Sequence, residues 1–282
     1  MTFKYRDYDP KELEKLHAVF LRAFSDYFVT FSPKLEQFKT RIEHKLNIQP
    51  HLSRLAWDGG RPVGFVLHTL NAYNGKQTLY NGGTGVDPDY RRQQIATRLY
   101  HQVLANIPLG QVDRILLEVV AKNQPGIKLY ESLGFQFYQV VKCFKLYSVK
   151  GEIQNTAEIR ASDELKAVYK LHQSFLPSFM DSTEQLAYNL KHERILEAYK
   201  DESLTGYVIF QPRLGRISQL AVDPKHRNLG IGRQLIQQAL LQSDTNYLTL
   251  MNIPEDQHDT IDSLYALGFQ NELDQIELEL NV

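Results

Sequence analysis

Val86-Asp87-Pro88-Asp89-Tyr90-Arg91-Arg92-Gln93-Gln94-Ile95-Ala96 returns later in the chain as Val222-Asp223-Pro224-Lys225-His226-Arg227-Asn228-Leu229-Gly230-Ile231-Gly232. A second phrase closes each copy: Leu129-Tyr130-Glu131-Ser132-Leu133-Gly134-Phe135, then Leu264-Tyr265-Ala266-Leu267-Gly268-Phe269. Val86 stands 48 positions before Gly134, and Val222 stands 46 before Gly268. A whole chemical unit has been duplicated. Moving outward, Leu16-His17-Ala18-Val19-Phe20-Leu21-Arg22-Ala23-Phe24 is echoed by Leu171-His172-Gln173-Ser174-Phe175-Leu176-Pro177-Ser178-Phe179. Leu13, Leu16, Phe20 and Phe24 follow helical spacing. Val63-Gly64-Phe65 and Thr205-Gly206-Tyr207 each follow a turn-like segment and read as the second arm of a hairpin.

The coarse order in each half is strand, helix, helix, hairpin, strand, helix, strand, helix, strands. This predicts an α/β protein, each half a mixed sheet covered by helices. The boundary is expected near Val149 to Thr156, giving domains 1–150 and 151–282. The offset between copies falls from 155 at Leu16/Leu171 to 136 at Val86/Val222. The first half thus holds extra residues, in Ser25 to Ser53 and in the hairpin tip Asn71 to Gln77. Extra loop is where a substrate is often selected.

The 282 residues, 43% hydrophobic, suffice for two real cores, and disorder is not expected. The single cysteine, Cys143, excludes an internal disulfide. No signal-peptide pattern or long apolar run is present, so a soluble cytoplasmic protein without membrane attachment is expected. The net charge of -1 hides an asymmetry. Residues 1–150 carry 21 Lys+Arg and 13 Asp+Glu, or +8; residues 151–282 carry 11 and 20, or -9. A polyanionic ligand would favour the first half. Basic and aromatic residues do not interleave, so no nucleic-acid partner is expected. The scattered histidines lack metal-ligand spacing, and no metal is expected; His17 and His172 read as packing or surface residues.

Leu79 to Val86 reads as a strand, and Ile95, Leu99 and Val103 open a helix. The turn between them would present free N–H groups at a helix N-terminus, which suits phosphate. Arg91 and Arg92 add positive charge. In the second copy Gly230 and Gly232 allow close approach to the backbone.

These phrases make the chain resemble a tandem protein of the GNAT superfamily, the acyl-CoA-dependent N-acyltransferases. Their hallmark is Arg/Gln-x-x-Gly-x-Gly/Ala after a strand and Val-x-Pro. The resemblance covers almost the whole chain, once per half. It implies two tandem domains, each a mostly antiparallel twisted sheet flanked by helices. It implies acetyl-CoA as co-substrate, its pyrophosphate held by the amides of Arg91, Arg92, Gln93, Gln94, Ile95, Ala96 and Thr97. The strand Thr84, Gly85, Val86 would splay and hold the pantetheine arm, with Asn123 orienting it. In the second half, Val222, Arg227, Gly230 and Gly232 take these places. The first copy departs by having Gln94 where the family has glycine.

Amide formation from a thioester needs a deprotonated amine, a stabilised oxyanion and a proton for the leaving thiolate. The resemblance makes Tyr130 the acid, seven residues after Asn123; packing beside Phe135 is its alternative. Gly126 replaces a usual alanine. Glu118, interrupting an apolar strand, and Asp26, after the first helix, are candidate bases; a water chain is the alternative. In the second half, Asn252 stands 13 residues before Tyr265 with the acidic stretch Pro254 to Asp259 between, so Tyr265 reads as structural. The expected activity is direct acetyl transfer, in a ternary complex, to a small-molecule or protein amine, by a monomer or homodimer. Catalysis is expected in the first half, the second having diverged. The competing reading is a non-catalytic acetyl-CoA sensor or scaffold.

Overall fold

The computed structural model describes residues 2–29, 32–107, 110–152 and 154–282. Thr30 and Phe31 of the long Ser25–Ser53 segment, and Ile153 at the expected boundary, lie outside the described residues. In chain order the elements are β1 (Lys4–Asp7), α1 (Leu13–Ala23), α2 (Leu35–Thr40), β2 (Arg54–Asp58), β3 (Arg61–Tyr73), β4 (Lys76–Val86), α3 (Ile95–Asn106), β5 (Arg114–Val120), α4 (Gln124–Ser132) and β6 (Gln136–Leu146). There follow β7 (Glu158–Ser162), α5 (Tyr169–His172), α6 (Thr183–Leu186), β8 (Arg194–Lys200), β9 (Ser203–Gln211), β10 (Arg216–Val222), α7 (Ile231–Leu241), β11 (Leu248–Pro254), α8 (His258–Leu267) and β12 (Gln270–Asn281).

The chain forms two compact units, one of Met1–Tyr138 with Ile276–Val282, the other of Gln139–Gln275. These are not the sequence halves. Residues 276–281 complete the sheet of the first unit beside β5, and residues 141–146 of β6 pair with β11 in the second. Arg114 Nη1 pairs with Glu279 at 2.7 Å, and the Val282 N–H reaches the Asp113 carbonyl. The exchange also redistributes charge. Unit 1 holds 18 Lys+Arg against 15 Asp+Glu, or +3, and unit 2 holds 14 against 18, or -4. The +8 expected of the first half thus shrinks to +3, and the field argument weakens with it.

In unit 1, β1 to β4 form an antiparallel ladder, and β4 runs parallel to β5. The Asn74-Gly75 turn, both residues left-handed, carries the long β3–β4 hairpin. Both residues of such a turn need positive φ. One sheet face packs on α3 and α4 through Leu79, Leu99, Ile115, Leu117, Val119 and Phe135. Burying Leu99 completely is worth about 2 kcal/mol. On α1, Phe20 packs its ring against Phe38 and Phe65, at 4.9 and 5.8 Å.

Unit 2 repeats the plan: antiparallel β7, β8, β9 and β10, with β10 parallel to β11. It departs at the repeated helix phrase. Helix α5 covers only Tyr169–His172, and Leu171 is exposed. Gln173 turns extended, and Pro177 disfavours helical backbone before it. Among the described residues, no helix is long and apolar enough to cross a membrane.

Candidate functional site

In unit 1, β4 and β5 are paired only at Thr78–Arg114, Leu79–Ile115 and Tyr80–Leu116. Beyond Tyr80 the two strands part, while β4 keeps pairing with β3 as far as Val86. The β4 edge from Asn81 to Val86 therefore faces an opening with no ladder partner in β5. Buried backbone groups need partners, so such an edge is a place for a ligand with its own amides. A bulge lies at the head of the opening: Leu67 pairs with Gly83 and His68 with Asn81, leaving Gly82 over. Unit 2 repeats it, with Ser218 left over between the pairs at Ile217 and Gln219.

The turn after β4 has the same backbone in both copies. Arg92 and Asn228 have φ of 62° and 61°, and Gln94 and Gly230 have 59° and 86°, all left-handed. Gln94 thus adopts the conformation that glycine supplies freely, at a cost of about 1 kcal/mol. Consecutive N–H groups in such a turn converge on an anion at the N-terminus of α3. Arg92, Gln93 and Gln94 are exposed, Ala96 and Thr97 lie in the first turn, and Ile95 is buried in the core. The Arg91 side chain is also engaged within the protein. Its guanidinium forks onto both Asp26 oxygens, at 2.6 and 2.7 Å, and binds the Ala23 and Val86 carbonyls. It builds the turn. Arg227 likewise reaches the Val222 and His172 carbonyls. Gly232 has ordinary room beside Val222.

The same fork engages Asp26, the other candidate base. Its hydrogen bonds to Arg91 hold its carboxyl below the usual range, and both oxygens are occupied. Glu118 is placed otherwise. Leu117 and Val119 face the α3–α4 core, so strand alternation turns Glu118 to the opposite face. It lies two residues past the last β4–β5 pair and accepts a hydrogen bond from Tyr80 Oη at 2.5 Å. Burial, with the Glu118 charge, pushes the Tyr80 hydroxyl well up.

Tyr130 comes from the other face, on α4, and is 8% exposed. Burial pushes its hydroxyl up, opposed by the polar groups of Thr84, Tyr100 and Asn81 nearby. Asn123 caps α4: its Oδ1 accepts the Gly126 N–H at 3.0 Å, and its Nδ2 faces Tyr27 Oη at 3.5 Å. A Cβ on residue 126 would stand 2.6 Å from Asn123 Nδ2, which is why glycine stands there. Gly85 is equally tight, against Phe65 and Ala23. Thr84 accepts from Asn81 Nδ2 at 2.8 Å.

At the corresponding opening of unit 2, side chains on the wall are tied to one another. Gln173 Nε2 binds Tyr207 Oη at 2.9 Å and Gln219 Oε1 at 3.1 Å. Gln219 Nε2 binds the Asp181 carbonyl, and Asp181 is paired with Arg216 at 2.7 Å. A cavity of about 70 Å³ remains there. Asn252 is turned toward Cys143 and Gln275. Tyr265 is 45% exposed, its ring against Phe144. The turn itself borders an open hollow of about 530 Å³ with Lys200 and Arg233 on its wall.

Sequence reasoning missed Asn81, Tyr80, Tyr100 and Tyr27. A signal for Asn81 existed, since asparagine is unfavourable in a strand and needs a reason there. Among the described residues, no three His, Cys, Asp or Glu side chains gather as a metal site.

A split parallel pair, a left-handed turn at a helix N-terminus and a buried tyrosine beside the split define an acyl-transfer fold. The acetyltransferase (GNAT) family model matches residues 14–135 and again 165–269, and the chain belongs to that family. It is similar to N-alpha-acetyltransferase 30 of Dictyostelium discoideum, with 29% identity over 104 residues, 37% of this chain and 55% of that one. It is also similar to the N-terminal acetyltransferase B complex catalytic subunit NAA20 of Arabidopsis thaliana, with 28% identity over 127 residues, 44% of this chain and 71% of that one. The chain thus spans about half the length of the first of these relatives. A tandem GNAT protein from the clavulanic acid biosynthesis pathway shares the fold at a TM-score of 0.72 and 15% identity, covering 99% of this chain and 98% of that one.

Proposed function

We propose that unit 1 transfers an acetyl group from acetyl-CoA to a primary amine, directly and within a ternary complex. The observation that carries this reading is the split of β4 from β5 with Glu118 and Tyr130 on opposite sheet faces. The residues fit the donor: an unpaired β4 edge suits the pantetheine amides, and the left-handed turn suits its pyrophosphate. Acetyl-CoA supplies the activated thioester. Glu118 takes a proton from the amine arriving on the α1–α2 face. Tyr130 holds the proton that the departing thiolate needs, on the α3–α4 face. Acceptor and donor thus meet through the slot without sharing a face, so no acyl-enzyme is required. The similarity to N-alpha-acetyltransferases favours a protein or peptide N-terminal amine over a small molecule.

For unit 2 the reading is non-catalytic. Gln173 and Gln219 are tied to each other beside β10, while Gly230 borders the open hollow with Lys200 and Arg233. Unit 2 would hold the phosphate end of a ligand without presenting a thioester.

The test is thiol release from acetyl-CoA across peptides with free N-termini and small primary amines, followed by initial-velocity patterns. Intersecting lines with one acceptor class are expected. Parallel lines, or donor binding with no thiol release across the panel, would overturn the reading.

A further inference from the structure

Tyr80 is the last residue at which β4 and β5 are paired: it stands opposite Leu116, and beyond it the strands part. Leu79 faces the α3–α4 core, so strand alternation turns Tyr80 to the opposite face, where Glu118 also lies. Its side chain crosses the head of the opening. The hydroxyl donates to Glu118 Oε2 at 2.5 Å, two residues past the end of the ladder. The two ends of this bond are held differently. Tyr80 is 6% exposed, and its backbone is paired with Thr69 of β3 as well as with Leu116. Glu118 sits on a stretch of β5 that β4 does not pair. A rigid, buried donor thus reaches a carboxylate whose strand is open on that side. Burial, with the Glu118 charge, keeps the Tyr80 proton on its oxygen, so the hydroxyl is a standing donor. Arg41 and Glu277 also act on it, with opposite signs.

We propose that Tyr80 is a positioning residue for the base: its hydrogen bond fixes the direction of the Glu118 carboxylate at the head of the opening and holds it ionised, ready to take the proton of the amine. The inference rests on Glu118 being the base. Unit 2 supplies an internal control. Aligned on the doubled turn, Arg216 stands for Tyr80. The sheet register agrees, since Arg216 pairs with Thr249 of β11 as Tyr80 pairs with Leu116 of β5. Two residues on, Met251 stands where β5 has Glu118. A thioether is no proton acceptor, and Arg216 is paired with Asp181 instead. Carboxylate and hydroxyl are lost together in the unit read as non-catalytic.

The full chain is tested by steady-state kinetics against pH, with acetyl-CoA and a peptide acceptor with a free N-terminus, and with thermal melts alongside. Tyr80→Phe keeps the ring and removes the donor. It should lower kcat about tenfold, the order of one hydrogen bond to a charged group, with the donor KM within about twofold. The acid limb of the kcat profile should move up by about one pH unit, because a carboxylate that loses a donor is more easily protonated. Added to Glu118→Gln, Tyr80→Phe should change nothing further, because its effect passes through the carboxylate. Should Tyr80→Phe fail to fold, 3-fluorotyrosine at position 80 keeps the packing, donates more strongly and should move the limb down. A limb that stays in place in the folded variant, or an equal loss in the Glu118→Gln background, would overturn the proposal. A large loss in Glu118→Gln with full kcat in Tyr80→Phe would sink this proposal alone. Undiminished turnover in Glu118→Gln would take down the base reading, and this proposal with it.

Discussion

The two turns are nearly the same object; the two openings beside them are not. Both turns place left-handed residues at matching positions, although one uses Gln94 and the other Gly230. The openings differ in what projects into them. Where unit 1 has Gly82-Gly83, unit 2 has Ser218-Gln219, and the Gln219 amide is tied to Gln173 and Asp181. The better glycine motif thus sits in the copy whose bulge carries the larger side chains. The difference teaches that the backbone of the turn can be kept while the side chains at the bulge beside it diverge.

Substituting the paired tyrosines strains this comparison most. Tyr130→Phe should lower kcat by about 10²- to 10⁴-fold, the range for a lost general acid, while Tyr265→Phe should leave it unchanged. Comparable losses in both would put chemistry in both units. Next comes Glu118→Gln, expected to cut kcat about 10²-fold with the donor KM little altered. A full-rate variant would hand proton removal to water.

A third contrast concerns acid. His68 is wholly buried in β3, and burial pulls its ring down to about 4. Its place in unit 2 belongs to Phe210. The unfolded ring titrates near ~6.5, so between those values the unfolded chain binds the extra proton. The stability is complete above about pH 6.5 and drains away as pH falls towards 4, by ~3 kcal/mol in all. Hydrogen exchange at pH 7 and pH 5 should show core amides of unit 1 losing protection first. A His68→Asn variant should lose most of that pH dependence. The smallest effect is a matched pair at the turn: Gln94→Gly should stabilise by up to about 1 kcal/mol and Gly230→Gln should destabilise by a similar amount, in chemical denaturation. Equal signs would mean the two turns are not equivalent.

Much of this was legible. The doubled phrase gave away strand β4, the turn, helix α3 and their partners in the second copy, because hydrophobic spacing and turn residues are local. The hairpins at Gly59-Gly60 and Asp201-Glu202 were readable for the same reason. Helix α5 was not, because Leu171 to Phe179 has helical spacing that Pro177 and the contacts of Gln173 override. The exchange of residues 139–146 and 276–281 left no local trace, since which strand neighbours which is a matter of tertiary pairing. The charge argument kept its sign but weakened through that exchange. Tyr130 and Glu118 were named from their phrases, whereas the pairing of Asp26 with Arg91, across 65 positions, was not legible. Ser218-Gln219 against Gly82-Gly83 was visible in the alignment of the copies and needed only the question of what lies beside the turn.

The strand exchange also sets an order of events during synthesis. Val120 ends β5, and Ile276, which starts the stretch completing that sheet, is 156 positions further on. At ribosomal speeds of roughly 5–20 residues per second, β5 waits about 8–30 seconds for its neighbour. During that time unit 1 carries an open strand edge, the kind of surface that pairs with other nascent chains. Expressing residues 1–150 alone would make that state permanent.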